Sequence, residues 1–208
     1  MNPLRHVAVG GLLGLMLAGG CGSATEPIQK GRPMTTQTET RSVTMKGQPL
    51  TLAGNDVQVG QKAPDATLAG NDLKPVSLGS FRGKVVILSA VPSLDTSVCS
   101  RETHRFNEEA AALSDDIAIL TISMDLPFAQ KRWCGAEGIT KVTTLSDYKD
   151  ASFGKSYGVL LPDLRLLARA VFVVDREGIV RYKQVVPEIA QEPDYEAVLN
   201  AARKLAAK

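Results

Sequence analysis

Lys84-Val85-Val86-Ile87-Leu88-Ser89-Ala90-Val91-Pro92-Ser93-Leu94-Asp95-Thr96-Ser97-Val98-Cys99 is the stretch on which the fold turns. Its first half is an apolar run with a single serine, closed by Pro92. A run of this length and β-branched content reads as a strand buried on both faces. From Thr96 the period changes, and Val98, Phe106, Ala110 and Leu113 place a helix over residues 96–113. A buried strand that feeds a helix in this way is the repeating unit of α/β folds.

The same alternation continues outward. Residues 117–122 read as a second buried strand, 127–136 as the start of a helix and 142–145 as a third strand. Ala170-Val171-Phe172-Val173-Val174-Asp175 is a fourth, and Asp175-Arg176-Glu177-Gly178 turns the chain into a strand over 179–185. A helix over 193–207 closes the chain. Upstream, residues 73–78 form a short strand, and 43–52 a β-hairpin turning at Lys46-Gly47-Gln48-Pro49. The expectation is an α/β sandwich: a central mixed sheet flanked by helices, preceded by an N-terminal β-hairpin. No internal repeat is visible.

The 208 residues suit one domain plus some non-globular sequence, and 44% hydrophobic content allows a full core. A net charge of +2, spread evenly, argues against nucleic acid as a partner. The two histidines are His6 and His104, and the three cysteines, Cys21, Cys99 and Cys134, contain no CxxC pair. Zinc and iron–sulfur sites therefore lack ligands at suitable spacing. Residues 1–21 carry Arg5 and then an apolar run too short to span a bilayer comfortably, the layout of an export signal. They end in Leu17-Ala18-Gly19-Gly20-Cys21, which resembles a bacterial lipoprotein cleavage box. Ala18 stands where leucine is usual, and Leu17 lies one place early. The alternative is a plain secretory signal in which Cys21 is incidental. On either reading the mature chain belongs outside the cytoplasm, periplasmic or anchored to a membrane through lipidated Cys21. Residues 22–41 are polar and Thr-rich and read as a flexible tether, leaving 42–208 as the folded domain.

Cys99 falls in the first turn of the first long helix, beyond the carboxyl end of a central strand, where open α/β sheets place their sites. Free N–H groups and the helix dipole favour an anion there, and a thiolate is one. Taken alone, a cysteine here is more often a small buried hydrophobe. The surrounding residues change that balance. Pro92-Ser93-Leu94-Asp95-Thr96-Ser97-Val98-Cys99 matches the PxxxTxxC signature of peroxiredoxins. Pro127-Phe128-Ala129-Gln130, Trp133-Cys134-Gly135-Ala136-Glu137-Gly138 and Glu192-Pro193-Asp194-Tyr195-Glu196-Ala197 resemble the bacterial thiol peroxidase branch, an atypical two-cysteine group. The likeness runs from about Val43 to the C-terminus and implies a thioredoxin-like domain.

The resemblance implies a role for each site residue, and each has a plainer alternative. Cys99 would attack a hydroperoxide and become a sulfenic acid. Thr96, three residues earlier, would hydrogen-bond sulfur and peroxide; alternatively it is an N-cap. Pro92 would shape the pocket wall, or simply end the strand. Arg169 would hold the thiolate and polarise the peroxide, or pair with a carboxylate such as Glu102. Cys134 would attack the sulfenic acid and close a Cys99–Cys134 disulfide; it could instead form a permanent structural disulfide or be an inert thiol. Because the two cysteines sit on separate helices, the ends of both are expected to loosen during turnover. Trp133 reads as a packing residue. No metal, flavin or haem is required. The implied partners are hydrogen peroxide or an organic hydroperoxide, a thioredoxin-like dithiol reductant and a second copy of the chain in a homodimer. The competing functions are a peroxide sensor with the same cysteine chemistry and a thioredoxin-like lipoprotein for metal insertion or disulfide traffic. The latter needs a close cysteine pair that this chain lacks.

Overall fold

The structure, a computed structural model, describes residues 41–207. The expected export segment with Arg5, His6 and Cys21, and the tether as far as residue 40, lie outside the described residues.

The described chain opens with a hairpin of β1 (Ser42–Met45) and β2 (Gln48–Thr51). Its turn is shorter than the four residues expected. Met45 pairs with Gln48, and Lys46 and Gly47 alone make the turn, at φ 51° and 76°. Two consecutive left-handed residues match the twist of the flanking strands, so Pro49 is released into β2 opposite Thr44. Glu188 locks this turn, accepting from the N–H groups of Lys46 and Gly47, each at 3.1 Å, and from Thr44 Oγ1 at 3.0 Å.

The central sheet contains β3 (Thr67–Ala69), β4 (Pro75–Ser77), β5 (Val85–Ala90), β6 (Ile117–Ser123) and β7 (Thr143–Ser146). A separate short pair, β8 (Leu160–Leu161) and β9 (Leu166–Leu167), follows. The sheet is completed by β10 (Ala170–Val174) and β11 (Val180–Val185). Its order is β11-β10-β5-β6-β7-β3-β4. The β5/β6 and β6/β7 pairs are parallel and the remainder antiparallel, so the sheet is mixed. The helices are α1 (Ser97–Ala110), α2 (Pro127–Glu137), α3 (Ser152–Tyr157) and α4 (Tyr195–Ala206).

β5 shows why its sequence is apolar apart from Ser89. Val86, Leu88 and Ala90 point into a core with Phe153 and Tyr157 of α3, Phe172 and the hairpin residue Val43. Val85 and Ile87 point the other way, towards Phe106 of α1, Trp133 of α2 and Val198 of α4. Both faces are covered, so no polar alternation survives.

Several short elements escape the sequence pattern. The strand expected over 73–78 contracts to Pro75–Ser77, because Leu73 sits in a turn at φ 66° and Leu78 begins a 3-10 turn capped by Ser77. β3 has three residues, too few to show a period. α3 follows Ala151 at φ 51° without a side-chain cap, so it carries no start signal. By contrast α4 begins on Asp194, whose carboxylate accepts from Ala197 N–H at 2.9 Å.

Candidate active site

Pairing of β10 with β5 assembles the site. Ala170 lies opposite Ala90, so Arg169 is carried to the carboxyl end of β5, where the chain leaves for α1. The loop between them holds Pro92, buried and without a backbone N–H to donate. Asp125, between β6 and α2, pins this loop. Its carboxylate accepts from Ser93 Oγ and from Leu94 N–H, each at 2.8 Å, and from Ser123 Oγ at 2.8 Å. Ser146 Oγ also donates to the Asp125 carbonyl.

Cys99 is the third residue of α1 and is fully buried, in the apolar cluster of Val91, Leu94 and Phe106. Thr96 occupies the N-cap position with extended backbone (φ −99°, ψ 144°) but makes no side-chain cap bond. Its hydroxyl lies 2.8 Å from Cys99 Sγ and 3.0 Å from the Ser93 carbonyl. One hydroxyl has one hydrogen to give, so Thr96 donates to one of these two acceptors at a time. The first backbone bond at this helix start runs from Ser100 N–H to the Thr96 carbonyl, at 2.9 Å. That leaves the N–H groups of Ser97, Val98 and Cys99 without helical acceptors, a partial positive charge beside the sulfur.

Arg169 is 1% exposed. Nε donates to the Ile189 carbonyl at 3.0 Å, Nη1 to a Glu102 carboxylate oxygen, and Nη2 to Cys99 Sγ at 3.3 Å. The two readings of this arginine are therefore compatible, since one guanidinium serves carboxylate and sulfur together. Burial alone would lower the Arg169 pKa, but the Glu102 carboxylate and the Cys99 sulfur outweigh it and hold the guanidinium charged. Glu102 is also fully buried, one helical turn beyond Cys99, and accepts from Ser89 Oγ of β5 at 2.7 Å. Burial pushes its carboxyl above the usual range, with Arg169 and Ser89 pulling it back.

Cys134 stands apart from this group, half-buried in the last turn of α2, with its sulfur 3.4 Å from Thr144 Oγ1. Gly138, at φ 64°, ends the helix, and its N–H and that of Ile139 both bond the Cys134 carbonyl. Both cysteines are free thiols. The structure thus gathers Thr96, Cys99 and Arg169, sets Pro92 in the adjoining loop and leaves Cys134 on separate partners. Sequence reasoning named Glu102 only as an alternative ion-pair partner, and missed Asp125 and Ser89. Ser89 had a usable signal, as the single hydroxyl in an otherwise apolar buried strand.

These features can be compared with known proteins. The Redoxin family pattern matches residues 58–199. A thiol peroxidase of Listeria innocua is 56% identical over 132 residues, covering 64% of this chain and 79% of that protein. A thiol peroxidase of Bacillus subtilis is 55% identical over 133 residues, with the same coverage. Among solved structures, a peroxiredoxin-like protein from Aquifex aeolicus superimposes with a TM-score of 0.75 at 44% identity, covering 79% of this chain and 97% of its own.

Proposed function

Since the chain belongs to the Redoxin family and is a peroxiredoxin-type thiol peroxidase, we propose that it reduces hydrogen peroxide and organic hydroperoxides with Cys99 as nucleophile and Cys134 as resolving cysteine. The observation that carries this reading is the sulfur of Cys99, held between Thr96 Oγ1 at 2.8 Å and Arg169 Nη2 at 3.3 Å at a helix start.

The Cys99 thiolate attacks one peroxide oxygen, forming the S–O bond as the O–O bond breaks. Sulfur is oxidised to the sulfenic acid, and the other oxygen leaves as hydroxide or alkoxide and takes up a proton. Charge grows on that leaving oxygen. The Arg169 guanidinium, the Thr96 hydroxyl and the N–H groups of the first turn of α1, all beside the Cys99 sulfur, stabilise that charge in this reading. Glu102 and the Ile189 carbonyl fix the guanidinium, so it need not reorganise as charge moves. Pro92 offers no N–H to compete for the peroxide. Cys134 then displaces hydroxide from the sulfenic acid and forms the disulfide. A thioredoxin-like dithiol outside the cytoplasm reduces that disulfide and closes the cycle.

Three whole-molecule properties complete the proposal: export directed by residues 1–21, lipid attachment at Cys21 and assembly as a homodimer. Leu126 and Phe128, 51% and 66% exposed at the start of α2, supply an apolar pair that a second copy would cover.

The chemistry is tested by replacing each cysteine with serine. Cys99→Ser should consume no peroxide. Cys134→Ser should react once and accumulate a sulfenic acid that dimedone traps. Full peroxide turnover by Cys99→Ser overturns the assignment.

A further inference from the structure

The last turn of α2 is gripped from two sides. On one side, Thr144 of β7, 3% exposed, places its hydroxyl 3.4 Å from Cys134 Sγ. That hydroxyl accepts the Nδ2–H of Asn71 at 2.9 Å, from the turn between β3 and β4. With its oxygen so occupied, Thr144 has its own hydrogen free for the sulfur. Asn71 Oδ1 is buried with no hydrogen-bond partner among the described residues, so the amide serves Thr144 at the expense of its own acceptor. On the other side, Glu137 Oε2 lies 2.9 Å from His104 Nε2 of α1, and the His104 ring meets Trp133 edge to face at 5.8 Å.

The helix sequence weakens this turn at one position. Gly135 lies within it, and glycine in a helix interior costs about 1 kcal/mol relative to alanine. Two N–H groups, of Gly138 and Ile139, end on the carbonyl of Cys134, so the closing bonds of the helix converge on that residue.

We propose that Thr144 with Asn71, and Glu137 with His104, are positioning residues: a two-sided clasp that keeps reduced Cys134 wound into α2 and sets the rate of its delivery to Cys99. The proposal rests on the reading of Cys134 as the resolving cysteine. In that step the Cys134 thiolate attacks the sulfenic sulfur of Cys99. The S–S bond forms, the S–O bond breaks, and hydroxide departs and takes up a proton. The Cys134 sulfur is oxidised and that of Cys99 reduced. Each sulfur has different partners in the reduced protein, so the clasp opens before the attack. The observed rate is then the open fraction multiplied by the rate of attack. A contact present only in the wound state slows delivery, and its removal speeds it. One neutral hydrogen bond corresponds to a factor of about 2 to 10.

The test uses the full chain and the fluorescence of Trp133, its single tryptophan and the neighbour of Cys134. Reduced protein is mixed with hydrogen peroxide in a stopped-flow instrument. A first phase, linear in peroxide, reports oxidation of Cys99. A second phase, independent of peroxide, reports delivery of Cys134. Thr144→Val keeps the β-branched shape without the hydroxyl and should speed the second phase about 3- to 10-fold. Thr144→Ser should restore the original rate, and Asn71→Ala should act in the same direction as Thr144→Val. Glu137→Ala should speed the second phase about 2-fold, as suits an exposed pair, and the effect should multiply with that of Thr144→Val. An unchanged or slower second phase in Thr144→Val overturns the clasp. The resolving role survives that result if Cys134→Ser abolishes the phase. A second phase that persists in Cys134→Ser overturns both.

Discussion

At the residue scale, the chemistry depends on how many partners one side chain can hold at once. Arg169 places three nitrogens on the Ile189 carbonyl, the Glu102 carboxylate and the Cys99 sulfur. Lysine carries the same charge as a single point and cannot span these directions. Arg169→Lys should therefore fold but lose about 10²-fold in kcat/KM for peroxide, the scale of removing one preorganised charge-stabilising donor. Steady-state kinetics with a saturating dithiol would show this, and a loss below about 3-fold would remove Arg169 from the reaction. Thr96 has a comparable economy. It takes the backbone geometry of an N-cap yet turns its hydroxyl towards the Cys99 sulfur and the Ser93 carbonyl. The capping position and the capping bond are separable, and Thr96 takes only the position.

At the element scale, the N-terminal hairpin depends on a carboxylate far away in sequence. Glu188 is held down to about 2, well under its ordinary 4.5. The N–H of Gly47 is the main cause; partial desolvation opposes it, and the N–H groups of Ala190 and Lys46 and the Thr44 hydroxyl add to the lowering. A depressed carboxyl pKa contributes stability that is complete above the unfolded value and is lost as pH falls through the folded one. Protection of the Lys46 and Gly47 amides from hydrogen exchange should thus hold at neutral pH and decline from about pH 4.5 towards pH 2. In Glu188→Gln the protection should be weak at every pH. Retention of full protection by the glutamine variant would show that the charge on Glu188 contributes nothing to the turn.

At the scale of the whole molecule, the proposed anchoring can be tested by fractionation. On the proposal of export and lipidation, the protein with Cys21 intact should sediment with membranes, and Cys21→Ser should move it to the soluble extracytoplasmic fraction. A soluble protein with Cys21 intact would leave only the secretory reading. Much of the architecture was legible in the chain itself. The apolar runs of β5, β6 and β10 carry strand signals because those strands are buried on both sides, and Asp175 to Gly178 shows its turn in local chemistry. β3, α3 and the β8–β9 pair left no trace, because three, six and two-residue elements are too short for a period and are fixed by what they pack against. In the site, the spacing of Thr96 and Cys99 is one helical turn and could be read directly. The meeting of Arg169 and Cys99 bridges 70 positions and could not. By itself, then, the sequence determined the elements with a strong period, the helix start at Cys99 and the family likeness, since these depend on neighbours along the chain. Which groups Arg169 serves, what pins the Cys99 loop and what contacts Cys134 were decided only in three dimensions. The antiparallel register of β10 on β5 brings the end of one strand beside the end of the other, and no local pattern encodes that register.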